Sequence, residues 1–338
     1  MSNIREVAKA AGVSVATVSR VINHDTEGRM TEETKERVWA AIADLNYKAP
    51  MGNIRKTQNP AKADAPLKIG CVISTEKNKY SDPYFLSMLS AIEEEARKNG
   101  CSVPYVIAAA ELEESFFLGS TVSTSLDGII LMNTLSAPIY EHIKRTVPTL
   151  VGIDTFHNDI DNVVYNHYEA ASMAVDTLVK MGYKKIGFVG AAPYGNKFTE
   201  GRRFRGYLAA MYSHNLPIDK ETIIDCNWQE EACFKYINAL HKKGKLPEAF
   251  VVASDLMAMA VLRRLYDLDV KVPAEVAVMG ISDIEMSRFS NPPLSTIRIP
   301  TRDIGVLAFR TLKERMSGYE GLPRTISLPM NVIIRSSI

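Results

Sequence analysis

The chain has 338 residues, room for two or three domains and a large core, and its 46% hydrophobic and 23% charged content is that of an ordinary water-soluble globular protein. A net charge of +1 excludes a uniformly basic nucleic-acid binder, and the four cysteines (Cys71, Cys101, Cys226, Cys233) have neither disulfide-framework nor metal-site spacing, so they read as reduced core residues. No apolar leader or membrane-length apolar run occurs, which predicts a cytoplasmic protein with no membrane partner, no metal and no cofactor.

The first predicted element is a short helix in which Ile4, Val7, Ala8 and Ala11 fall on one face, ended by Gly12 as a left-handed residue. Ser14 then caps a second helix whose Val18, Val21 and Ile22 point inward, leaving Ala16, Ser19, Arg20 and Asn23 as a slim outward stripe that fits a DNA major groove. A third helix opens at Thr31-Glu32-Glu33-Thr34 and buries Val38, Ala41, Ile42 and Leu45. A plain three-helix bundle would share this plan, but it does not require so thin and polar an outer face on the second helix. Residues 1–56 carry nine Lys and Arg against seven Asp and Glu, so binding depends on placed contacts and paired copies more than on bulk charge.

The run from Val7 to Asn23 resembles the signature of the lactose-repressor/galactose-repressor family of bacterial transcription regulators. The resemblance implies that Val15, Ala16 and Arg20 read bases while Thr17, Ser19, Asn23, Thr31 and Tyr47 touch phosphates. It also implies a linker helix that folds on DNA and wedges a leucine into the minor groove. Here Met51 to Lys56 occupy that place and Thr57 follows, so Ile54 is the substitute wedge, with Arg55 beside it; a plain flexible linker is the competing reading, since Pro50, Gly52, Pro60 and Pro66 interrupt the pattern.

From Lys68 onward, short apolar runs alternate with helical patterns. Ile69–Ile73, Val103–Ile107, Gly128–Met132 and Thr149–Ile153 form one series; Val163–Tyr165, Ile186–Val189, Phe250–Ala253 and Val276–Met279 form a second. Two series predict an α/β core of two doubly wound parallel sheets facing each other, with ligands held at the carboxyl ends of strands. This matches the periplasmic-binding-protein-like effector core that the resemblance implies. The expected domains are a helix-turn-helix head at 1–48, a hinge at 49–66, an N-terminal lobe at 67–161 with 297–324, and a C-terminal lobe at 162–296 with 325–338.

The strand ends supply the candidate effector site. Asp82, Tyr84 and Phe85 open a helix after the first strand, Asp82 serving either as its cap or as a partner for a ligand hydroxyl. Asp154 ends the fourth strand, and Ser254-Asp255 and Ser282 end later ones. Arg203 matches the arginine that clamps the effector in the family. Trp228 is read either as a core ring or, by the resemblance, as a sugar-stacking one. Serine stands at 254 and 282 where many relatives carry Asn or Asp, so a carboxylate clamp is expected to be missing at Ser282.

No dinucleotide, phosphate-loop, nucleophile-elbow or zinc-protease motif occurs, so no catalytic residues are expected. The Ser-Asp-Pro-Tyr-Phe segment and the run Phe289–Arg298 look most similar to the evolved-β-galactosidase repressor branch, which implies a galactoside or other small sugar as effector. The expected function is a homodimeric repressor of a sugar-utilisation operon on palindromic operator DNA, with no C-terminal leucine heptad to make a tetramer. A sugar-binding protein without DNA function and an enzyme of sugar metabolism are the alternatives.

Overall fold

The computed structural model describes residues 4–22, 31, 34–35, 37–38, 40–41, 45, 66–73, 82–117, 126–132, 134–191 and 197–338. Asn23, Tyr47, Ile54 and Arg55, with the rest of the hinge, lie outside the described residues. The chain divides into two compact units, 1–65 and 66–338.

In the first unit, α1 (Ile4–Ala11) and α2 (Val15–Ile22) pack through Val7, Ala8, Ala11, Val18 and Val21, joined by Val38 and Ala41 from the residues that follow. Gly12 has φ of 65°, and its N–H donates to Lys9 O while the Val13 N–H reaches back to Ala8 O. This is the paired hydrogen-bond pattern of a left-handed helix stop. Ser14 Oγ accepts from the Thr17 N–H at 3.1 Å and so starts α2. Leu45, expected inside, is 36% exposed.

The second unit holds two six-stranded sheets. The first contains β1 (Lys68–Ile73), β2 (Ser102–Ala108), β3 (Gly128–Met132), β4 (Leu150–Ile153), β5 (Asp161–Tyr165) and β11 (Thr325–Leu328), in the order β11-β5-β4-β3-β1-β2, all parallel. The second contains β6 (Ile186–Gly190), β7 (Ile223–Asp225), β8 (Ala249–Val252), β9 (Ala277–Ser282), β10 (Ser295–Arg298) and β12 (Asn331–Ile333), in the order β12-β10-β9-β8-β6-β7. Only β12 runs antiparallel, against β10. The central strands are apolar and buried on both faces, as parallel sheets sandwiched between helices require.

The first sheet is covered by α3 (Pro83–Lys98), α4 (Ala109–Phe117), α5 (Ala137–Thr146) and α10 (Thr301–Met316); the second by α6 (His167–Lys180), α7 (Arg202–Ser213), α8 (Glu230–Lys242) and α9 (Asp255–Asp267). The chain therefore crosses between lobes at Asn166, at 299–300 and at 329–330. This corrects three expected boundaries. Residues 297–298, expected in the first lobe, end β10 in the second sheet. Val163–Tyr165 belongs to β5 of the first sheet, not to the second lobe, and residues 325–328 pair with β5 rather than joining the second sheet. The physical cause is Asp161, fully buried at the start of β5, whose carboxylate accepts from Arg315 Nε at 2.7 Å and from the Arg324 N–H at 2.6 Å. Burial alone would raise this carboxyl; the two arginines outweigh it and hold it well below the usual carboxylate range.

Within the second lobe α6 and α7 lie so close that a Cβ on Gly206 would sit 2.0 Å from the Tyr168 carbonyl oxygen. That backbone cannot yield as a side chain could. Gly206→Ala is expected to lower stability by about 1–3 kcal/mol through forced separation of the two helices, read as an earlier midpoint in urea unfolding.

Candidate functional site

The site is built at the carboxyl edge of the first sheet, where β4 and β5 end and α3, α6 and α7 begin. Asp82 caps α3, accepting from the Tyr84 N–H at 2.9 Å. The proline at the first position of α3 fixes its entry and aims Tyr84 toward the second lobe's helices. Asp154 follows β4 with φ of 54° and is 7% exposed, a strained residue of the kind that clusters at ligand sites. Tyr165 ends β5, and two residues later His167 starts α6, after Asn166 has crossed between lobes and capped that helix by accepting from the Glu169 N–H. Arg203 enters from the first turn of α7.

These side chains meet. Arg203 Nη2 donates to the Tyr165 hydroxyl, and the His167 ring stacks on the Tyr165 ring at 4.0 Å. His167 Nε2 stands 3.0 Å from Asp154 Oδ1, within ion-pair distance but without the angles of a hydrogen bond. Arg202 lies over the Phe156 ring at 4.6 Å, a second contact from α7 to the loop after β4. Four buried polar atoms of the cluster have no hydrogen-bond partner among the described residues: Tyr84 Oη, Asp154 Oδ1, His167 Nε2 and Arg203 Nε. A buried polar atom left unpaired costs on the order of 1–3 kcal/mol, so four converging at one edge mark a place built to receive polar groups.

Electrostatics agree. Burial pushes the Tyr84 and Tyr165 phenols up, so both stay protonated donors. Burial also raises Asp82, against the opposing pull of the Tyr84 N–H and the Arg203 charge. It lowers His167 to about 4, with Asp154 acting in the other direction, so the ring is neutral at pH 7. For Arg203, burial disfavours the charge, but the neighbouring phenols and Asp154 outweigh it and the side chain remains a cation. The combination offers donors, acceptors and one fixed positive charge, and it has no nucleophile paired with a base.

Of the residues singled out from sequence, Asp82, Tyr84, Asp154 and Arg203 are brought together. Phe85 touches Tyr84 edge-on and packs against the core. Trp228 lies beyond β7, 41% exposed, in a turn where Asn227 and Trp228 both have positive φ. Ser254 caps α9 by accepting from the Met257 N–H, and Ser282 ends β9 buried, with φ of 144°. Among the described residues, no hydrogen bond or ring contact joins these three to the cluster.

Among the described residues, no hydrogen bond joins Asp255 to the cluster either. It is fully buried, accepting from the Thr296 hydroxyl at 2.6 Å and the Ile284 N–H at 3.1 Å, in a space that exists because a Cβ on Gly280 would lie 2.2 Å from its Oδ1. Tyr165 and His167 escaped the sequence reading, although Tyr-Asn-His at a strand-to-helix junction was the available signal. In the head, Val15, Ala16, Arg20 and Thr31 are exposed while Thr17 and Ser19 are half-buried, with the Thr17 hydroxyl 2.8 Å from Ser14 Oγ. All four cysteines are buried and free. Among the described residues, no group of His, Cys, Asp or Glu is arranged to hold a metal, and no helix is long and apolar enough to cross a membrane. Depressions along the outer faces of α5 and α8 are each lined by one helix alone and gather no converging polar groups.

Comparisons with known proteins accord with both halves. Residues 3–49 match the family described as "Bacterial regulatory proteins, lacI family", and residues 175–338 match a "Periplasmic binding protein-like domain". The chain is 31% identical to the HTH-type transcriptional repressor PurR of Actinobacillus pleuropneumoniae, over 100% of this chain and 98% of that protein. Its fold is similar to that of the transcriptional regulator CelR in its cellobiose complex, at a TM-score of 0.71 and 22% identity over all of both chains. It is also similar to the lac repressor dimer bound to operator and the anti-inducer ONPF, at a TM-score of 0.67 and 22% identity, covering 99% of this chain and 98% of that one.

The neutral, buried His167 carries a pH consequence. Its folded value of about 4 lies below the ordinary 6.5, so between those values the unfolded chain binds a proton that the folded chain refuses. His167 should therefore take away stability as pH falls from about 7 to about 4, by on the order of 3 kcal/mol. Urea unfolding across that range should show a shallower decline in His167→Gln than in the parent; equal slopes would mean that the ring protonates freely in the folded state.

Proposed function

This chain belongs to the LacI family of bacterial regulatory proteins and is a DNA-binding transcriptional repressor, not an enzyme, and from that premise we propose that a small sugar, in the first instance a galactoside, sets its operator affinity by binding between the lobes of the core. The observation that carries the effector reading is the cluster of unpartnered donors and acceptors formed by Tyr84, Asp154, His167 and Arg203, contributed by both lobes. A sugar presents hydroxyls that both donate and accept, which suits a site holding a carboxylate oxygen, a guanidinium and a phenol side by side. Trp228, half out in solvent at a strand end, suits the apolar face of a pyranose ring. CelR, whose fold this chain shares, was solved with cellobiose.

In this reading a homodimer in the cytoplasm places two heads on a palindromic operator. Val15, Ala16 and Arg20 meet base edges, and Thr17, Ser19 and Thr31 meet phosphates, in proposed roles that extend to Asn23, Tyr47, Ile54 and Arg55. Exposed apolar side chains on and after α9 (Leu256, Tyr266, Met286, Phe289) suit a surface covered by a second copy. Sugar closes the lobes on each other, and operator affinity shifts by the coupling free energy, typically ~1 to 3 kcal/mol. The same parts serve an inducer or a corepressor.

The test is a mobility shift on a palindromic site selected from a random duplex pool, with and without a panel of galactosides, cellobiose and nucleobases. A galactoside that shifts operator affinity supports the proposal; a response confined to nucleobases overturns the sugar class. Arg203→Ala is expected to retain operator binding and lose the sugar response. Arg20→Ala is expected to weaken operator binding by about 10-fold or more while sugar affinity, measured by calorimetry, stays unchanged.

A further inference from the structure

Asp154 and His167 are contributed by different lobes, Asp154 by the end of β4 and His167 by the first turn of α6. Their facing atoms, Oδ1 and Nε2, are 3.0 Å apart, both buried, and neither has a hydrogen-bond partner among the described residues. They stand at ion-pair distance but without the angles of a hydrogen bond. The His167 ring cannot swing freely to correct this, because it is stacked on Tyr165, whose hydroxyl is held by Arg203. Asp154 is fixed by its own left-handed backbone and by its N–H, which donates to Val163 O.

We propose that a single hydroxyl of the effector sits against both atoms, accepting from His167 Nε2–H and donating its own hydrogen to Asp154 Oδ1, so that His167 is a specificity-determining residue reading one hydroxyl across the lobe boundary. An oxygen at ordinary hydrogen-bond distance from two atoms 3.0 Å apart completes a nearly equilateral triangle, so one hydroxyl can reach both once the lobes part to admit it. Only a group that donates and accepts at once satisfies both partners; an ether or carbonyl oxygen leaves Asp154 unpaired, and an ammonium leaves His167 unpaired. Because the two partners belong to different lobes, this one hydroxyl also ties the lobes together. The inference rests on the sugar reading above and names the contact by which that sugar is distinguished.

The experiment measures calorimetric affinity of the full-length protein for methyl β-galactoside and its monodeoxy derivatives, in the parent chain and in His167→Phe, which keeps the ring stack and removes both nitrogens. In the parent, one deoxy derivative should bind about 10- to 100-fold more weakly than the intact sugar. In His167→Phe the intact sugar should lose most of that factor, and the same deoxy derivative should lose little further. His167→Gln, which retains a donor, should recover part of the affinity, and urea unfolding of both variants separates a lost contact from a lost fold. Equal affinity of parent and His167→Phe for the intact sugar overturns the contact while leaving the sugar reading in place. Failure of the parent to bind methyl β-galactoside, together with a response to a ligand lacking hydroxyls, overturns both.

Discussion

The core depends on a contact between lobes that the backbone makes unavoidable. Tyr165 is the last residue of β5 in the first sheet and His167 the first of a helix in the second lobe, so their stacked rings straddle a crossing only one residue long. Arg203 reaches the same tyrosine from α7, and Asp154 faces the same histidine from β4. A rotation of one lobe against the other must alter these four side chains. In the proposed reading, ligand recognition and lobe geometry share one set of atoms, which is what a binding site needs if it is to bias a two-state element.

Two aspartates near the same pair of strands show how the fold separates support from function. Asp161, at the amino end of β5, is wrapped by Arg315 and Arg324 with both oxygens engaged. Asp154, at the carboxyl end of β4, has a buried oxygen with no hydrogen-bond partner among the described residues. One fastens β5, α10 and β11 together; the other is held ready for something else. Asp255 belongs with Asp161, since its pairing with Thr296 and Ile284 is complete. Burial lifts its carboxyl to about 7, which alters how it titrates but does not bring it to a surface.

The first two helices of the head were legible, because Gly12 and Ser14 act through local geometry and the α1 and α2 stripes follow helical periodicity. The central strands were legible for a similar reason: an apolar run between turns looks the same wherever it sits. Which sheet such a run joins is decided by distant partners, so Val163–Tyr165 was assigned to the wrong lobe and the strands at 325–328 and 331–333 were not separated. Arg203 and Asp154 came from position and resemblance. Tyr165 and His167 did not, since their roles follow from the lobe crossing, which local pattern does not encode. The inward pairing of Asp255 was not legible either, since a strand-end acid looks available until the missing Cβ of Gly280 is seen to make room for it.

Neither lobe is continuous along the chain. The first sheet lacks its edge strand β11 and its helix α10 until residue 328 has been made, and the second lacks β12 until residue 333. During synthesis the amino-terminal unit is complete long before either sheet can close its edges, and chains tend to fold from the amino end as they emerge. A polypeptide stopped a few dozen residues early would thus keep the entire amino-terminal unit and the side chains of the proposed site, yet have two unfinished sheets with bare strand edges, the condition in which chains stick to one another.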